Sequence, residues 1–226
     1  MSADILVFGG RYLDIKTHPA GLAANILGPD LIEVFSDMIS LTVFFACLKH
    51  DNAARLEKAM FGDRAFFIEL QLSSLATGRP YSCDSSTSSH LVRQSCRFAC
   101  LIYIKLVLRS FPITTIVVGR LAIKLQEAFM DLDLEDLDLD MAKASGRLLV
   151  WCLFAGACAS TGRLSYGWYV IKLTEICTRL RLWWWIEVKS ILTDVVWLES
   201  DCDSRCKPVW IDVLENILMQ KGTIAD

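Results

Sequence analysis

Apolar positions along this chain recur mostly at intervals of three and four, the period of a helix with one buried face. In PDLIEVFSDMISLTVFFACLK, Glu33, Ser36, Asp37 and Ser40 recur at i, i+3, i+4 and i+7 as one polar face. Asp30, after Pro29, offers a capping oxygen, so the spacing predicts a helix over 30–48 with its other face buried. NAARLEKAMFGDRAFFIELQLSSLA reads as one or two helices with a break near Gly62. From 91 to 111, Arg93, Arg97, Lys105 and Arg109 share one half of the helical circumference. Phe98, Leu101, Ile102 and Leu108 are left for packing, until Pro112 interrupts the run. ITTIVVGRLAIKLQEAFM pulls two ways. Its β-branched residues favour a strand locally, yet Leu121, Leu125 and Phe129 recur every four residues, and it is read as a helix.

Further helices are predicted at 142–160, 166–181, 185–202 and 207–220. Trp184, Val188, Ile191, Val195, Leu198 and Cys202 make one seam, and Trp210, Val213, Leu214, Ile217 and Leu218 make a broad apolar face on the last helix. Between the last two helices, WLESDCDSRCKPVW is read as a turn, with capping oxygens on Asp203 and Ser204 and with Pro208 near the start of the next helix. The expected fold is all-α, a single helical domain over 29–220 of roughly seven to nine helices. An irregular segment over 1–28 precedes it. Mobile loops are expected at 77–90, where TGRPYSCDSSTSSH gathers Gly, Pro and serines, and at 131–141, where DLDLEDLDLD concentrates acids that would repel along one strand face.

Composition tests this picture. Apolar residues make up 54% of 226, charged residues 22%, and mean hydropathy is +0.40. Such a composition raises the question of a membrane span, which needs about 20 nearly uninterrupted apolar residues. Leu148 to Ala159 is shorter, and Phe98 to Val118 is broken by Lys105, Arg109 and Pro112, so these runs read as core helices and no span is expected. The opening MSADILVFGG lacks the basic start and apolar length of a signal peptide, which suggests an intracellular chain. The net charge of −3, without a basic block, argues against phosphate-backbone binding. The nine cysteines lie mostly in apolar segments, as reduced thiols packed like small hydrophobes do.

Candidate chemistry is sparse. His18, His50 and His90 occupy a Pro-flanked turn, a helix end and a loop edge, with no local signature of a Cys–His pair; no catalytic residue is assigned. Gly9 and Gly10 in DILVFGGRYLD lack the further glycines of a dinucleotide site. An EF-hand register starting at Asp131 puts Asp136 where glycine is required and Ala142 where the closing glutamate belongs. Cys96/Cys100 and Cys202/Cys206 are both C-x-x-x-C pairs. Within a helix such spacing holds the Cβ atoms about 5–6 Å apart, too far for a disulfide, and packing is the reading preferred over zinc. Adjacent acids facing an aromatic cavity would suit an all-α enzyme or binding protein for a terpenoid- or lipid-like molecule, the alternative function. Glu135, Asp136 and Asp140 approach that pattern without reproducing it. Trp183, Trp184 and Trp185 occupy successive positions, so at least one is partly exposed. Trp151, Phe154, Trp168, Tyr169 and Trp184 are the candidate surface for an apolar ligand or a partner.

The C-terminal half carries a resemblance. GRLLVWCLFAGACAS, then WYVIKL, then VKSILTDVVWLESDCDSRCKPVWIDV resembles the fungal-specific transcription factor domain, the helical regulatory region of zinc-binuclear-cluster transcription factors. The matching features are Leu149, Trp151, Phe154 and Gly156 on one helix, Trp168 and Tyr169 opening the next, and Trp197, Leu198, Cys202 and Asp203 closing a third, with Trp210 following. It runs from about 55 to 215 and rests on diffuse apolar features. The resemblance implies an all-α fold, location in the nucleus (the alternative is the cytoplasm), and regulation of transcription without catalysis. It further implies recognition of a small apolar ligand or a transcriptional partner protein, and homodimers in some members. Trp197, Asp203 and Trp210 are then structural residues of the motif. The departure is the six-cysteine cluster: no C-x-x-C occurs here, so DNA binding is not expected from this chain alone, no cofactor is expected, and zinc belongs only to the absent cluster.

Overall fold

In the computed structural model, residues 20–50, 55–75, 87–132 and 139–222 are described. They form eight α-helices and no strand: α1 Ala20–His50, α2 Arg55–Ser74, α3 Thr87–Tyr103, α4 Ile116–Met130, α5 Leu139–Ser160, α6 Tyr166–Arg179, α7 Trp185–Val195 and α8 Glu199–Gly222. The all-α expectation holds. Alternation of apolar and polar positions at helical period leaves each helix one face to bury, and α5 is where those faces meet: it packs against α1, α3, α4, α6, α7 and α8. Its residues Leu149, Val150, Cys152, Leu153, Ala157 and Ala159 are fully enclosed.

On α1, Leu27, Leu31, Val34, Phe35, Met38 and Leu41 are buried while Glu33, Ser36, Asp37 and Ser40 face solvent, as the spacing predicts. The helix starts earlier than expected, at Ala20, and passes through Gly28 and Pro29. Gly28 adopts φ +72°, a conformation that costs glycine little, and the residue before a proline is in any case disfavoured in the α region. The predicted start at Pro29 thus marks a break inside a longer element. Residues 1–19 of the expected irregular segment lie outside the described residues. Among the described helices, α1 over Leu27–Lys49 is the one long and apolar enough to cross a membrane by length and composition. Its apolar side packs on α2, α3 and α5.

Three other boundaries differ from expectation. The α2 helix runs through Gly62 without a break. The loop expected at 77–90 lies outside the described residues up to 86, and 87–90 already belong to α3. In the 131–141 loop, Asp131 and Leu132 leave α4, 133–138 lie outside the described residues, and α5 begins at Leu139. The α3 helix ends in a π-helical turn, Ile104–Leu108, closed by Arg109 N–H donating to Ile104 O at 2.8 Å. Around this turn, Lys105 Nζ and Arg109 Nε reach opposite oxygens of Glu69 on α2, at 2.7 and 2.9 Å.

The largest correction concerns WLESDCDSRCKPVW. The chain breaks earlier, at 196–198, and α8 continues from Glu199 through Asp203, Ser204 and Pro208. Pro208 and Ser204 are both exposed, so the carbonyl that Pro208 cannot bond belongs to the solvent side of the helix. Ser204 Oγ donates to Asp201 O inside the helix rather than capping it.

Candidate functional site

A hollow of about 40 Å³ opens where α5 meets α3, α7 and α8. Trp151 and Phe154 of α5 form one wall, Tyr103 and Leu106 of the α3 end another, and Trp197 and Arg205 stand at the half-buried rim. Packing fixes each aromatic ring. Trp151 is 3% exposed and stands between Phe35 and Tyr103, with ring centroids at 5.8 and 6.2 Å; its Nε1–H donates to Val196 O at 3.1 Å. That last bond explains the position of the break between α7 and α8. Val196 is extended, at φ −162° and ψ 128°, so its carbonyl is free to meet a donor from α5. Phe154 packs edge-on against Trp185, which in turn meets Trp197 at 6.4 Å.

Trp197 is oriented by Asp203. Its indole N–H donates to Oδ1 at 3.0 Å, while Lys189 Nζ of α7 donates to Oδ2 at 3.1 Å and reaches Glu199 at 2.6 Å; Lys207 stands 3.6 Å away. Burial works to raise the Asp203 carboxyl, but the hydrogen bonds from Lys189 and Trp197, with the lysine charges, outweigh it and hold it below the usual range. Lys189 is raised, chiefly by its bonds to Glu199 and Asp203. Trp197 and Asp203 are thus one hydrogen-bonded unit tying α7 to α8. Trp210, 5% exposed, is buried on α8.

The five candidate surface residues separate into three places. Trp151 and Phe154 share the hollow. Trp168 and Tyr169 sit elsewhere, facing α4: Trp168 meets Phe129 edge-on at 6.4 Å, and Tyr169 donates to Ala122 O at 2.6 Å. Tyr169 reaches α4 by crossing α5 at Gly156, where a Cβ would come 2.2 Å from its ring. Burial, above all, pushes the Tyr169 hydroxyl well up, so it stays a donor. Trp184 is 68% exposed before α7, whose first turn is closed by Glu187 accepting from the backbone N–H groups of Trp183 and Trp184 at 2.9 and 3.0 Å. The exposed tryptophan of the triplet is therefore Trp184, and it drops out of the expected seam. Leu218 is also exposed, at 59%.

Sequence reasoning missed Tyr103, Leu192 and Arg205 on the hollow, and it missed the sulfur contacts. Cys96 of α3 faces Cys152 of α5 at 3.8 Å, and Cys158 of α5 faces Cys206 of α8 at 3.3 Å. The C-x-x-x-C spacing drew attention to neighbours along a helix, whereas the partners lie across helices. No local signal reports such pairing. Burial raises the Cys202 and Cys177 thiols to about 12. Among the described residues, no group of three or more His, Cys, Asp or Glu is arranged to hold a metal ion. Glu135 and Asp136 of the acidic run, with His18 and Cys83, lie outside the described residues. No family model, no curated protein and no solved structure matches the chain.

Proposed function

We propose that this chain is a non-catalytic regulatory domain of a fungal transcription regulator, one that takes an apolar group of a few heavy atoms between Trp151, Phe154 and Trp197. A single observation carries the reading: four of the side chains on which the resemblance rests, Trp151, Phe154, Trp197 and Cys202, border one hollow. Its size narrows the ligand. By the measure in which one water needs about 10–15 Å³, the space holds about three waters, and a drug-sized molecule fills a pocket of about 300–1,000 Å³. A sterol would have to leave most of its body at the rim or move helices apart; a small apolar molecule, or the tip of a larger one, fits as the helices stand. Recognition of a partner protein and assembly into homodimers remain part of the reading through the resemblance alone, as does the nuclear location.

The transcriptional part is tested by sequencing the 5′ end of the transcript. The expected result is an upstream exon encoding six cysteines with paired C-x-x-C spacings and interleaved Lys and Arg; a transcript whose first start codon is that of Met1 overturns it. Fusing the full chain to a heterologous DNA-binding domain gives the functional readout. Reporter output should respond to the fusion, and the response should change in Trp151→Ala.

A further inference from the structure

Two thiols from different helices meet on the wall of the hollow. Cys158 Sγ and Cys206 Sγ are 3.3 Å apart, and both line that space. The other cross-helix pair, Cys96 and Cys152, is 3.8 Å apart, wholly enclosed, and does not border the hollow. Cys158 and Cys206 keep 6% and 5% exposure, which sets them apart from that enclosed pair. The helix-spacing argument that forbids a disulfide within Cys202 and Cys206 does not apply across helices, where the backbone imposes no fixed separation.

We propose that Cys158 and Cys206 form an oxidisable pair that hydrogen peroxide, entering through the hollow, converts into a disulfide joining α5 to α8. One thiol sulfur attacks a peroxide oxygen; the O–O bond breaks, water leaves and a sulfenic acid forms. The second thiol sulfur attacks that sulfenic sulfur, the S–O bond breaks and a second water leaves. Two thiols and one hydrogen peroxide become one disulfide and two waters. The sulfurs lose two electrons and the peroxide gains them, and the balance is the same whichever thiol attacks first. The sulfurs must close from 3.3 Å to about 2.05 Å, which requires side-chain rotation or a small helix adjustment. Hydrogen peroxide has two heavy atoms and fits a space of about 40 Å³; a bulky oxidant such as glutathione disulfide does not. Neighbouring thiols and burial raise Cys206, so its thiolate is scarce at neutral pH and the reaction quickens as pH rises. The bond would enclose the Val196–Leu198 link and the Lys189–Asp203 contact in one covalent loop. The inference rests on sulfur geometry and does not need the transcriptional reading.

The test uses the full, folded chain. After graded hydrogen peroxide and alkylation of remaining thiols, digestion without reduction and mass spectrometry map the links. The expected result is a Cys158–Cys206 cross-linked peptide, with Cys96 and Cys152 still alkylated after unfolding. The unreduced protein should melt about 5 °C or more higher than the reduced form, because the link restrains a loop of nearly fifty residues in the unfolded chain. Cys206→Ala removes both the peptide and the shift. Should that variant fail to fold, the wild-type peptide map stands alone as the test. Oxidation of the half-buried Cys47 with Cys158 and Cys206 still thiols overturns the proposal. So does a link to Cys202 instead, or a Cys96–Cys152 link that forms first.

Discussion

The two flanks of α5 are built to opposite ends. Toward α4 and α6 the contact is tight: Gly156 removes a side chain so that Tyr169 can cross the helix and donate to Ala122 O. Toward α3, α7 and α8, one residue away in sequence, Ala155 borders an open hollow walled by Trp151 and Phe154. A packed interior transmits any added volume as strain, whereas a hollow absorbs it. The tight flank is packed scaffold, and the loose flank is where the proposed function places an apolar group.

Adding volume to each flank breaks or sharpens this comparison. Gly156→Ala places a Cβ 2.2 Å from the Tyr169 ring, and denaturant melts should show a loss of about 2–3 kcal/mol. Ala155→Leu grows into the hollow and should change stability by less than about 1 kcal/mol; equal losses at the two positions would erase the distinction. Tyr169→Phe keeps the ring and removes the bond to Ala122 O, an expected loss of about 1 kcal/mol in the same melts.

Trp197→Phe takes the indole donor from Asp203, and the expected loss is below about 1 kcal/mol because the carboxylate is partly solvated. Its clearer signature is in pH. Asp203 is depressed in the folded chain, so its contribution is present above the unfolded carboxylate value of about 3.9 and fades as pH falls through the lower folded value. Lys189 is raised, so its contribution is present below about 10.4 and is lost as pH rises through the folded value. Acid melts of Asp203→Asn should be flatter than wild type, with Trp197→Phe between them.

How much of this could be read from the residues depends on which forces act locally. The polar face of α1 was legible, as were Trp210, Val213 and Ile217 on the buried face of α8, because a face repeats every three or four positions, while Leu218 at the edge of that face is exposed. Gly62 and Pro208 suggested ends that are absent: each weakens a helix locally, but neighbouring packing decides whether it ends. The real break at 196–198 has a tertiary cause, the Trp151 indole reaching Val196 O from 45 positions away. The same holds for the site. Trp151, Phe154, Trp197 and Asp203 were visible as unusual residues, but their separation from Trp168 and Tyr169 depends on which flank of α5 each occupies. Gly156 was visible as a small residue on the apolar helix, not as the notch that Tyr169 crosses.

The most direct test of the division between flanks follows the tryptophan indole N–H signals by nuclear magnetic resonance on the full chain under increasing xenon pressure. Xenon is an apolar single atom that binds in apolar cavities. The indole signals of Trp151 and Trp197 should shift saturably while that of Trp168 stays in place, and Ala155→Leu should abolish the response. Unmoved Trp151 and Trp197 signals, or an equal response at Trp168, would contradict the claim that the loose flank of α5 is the recognition site.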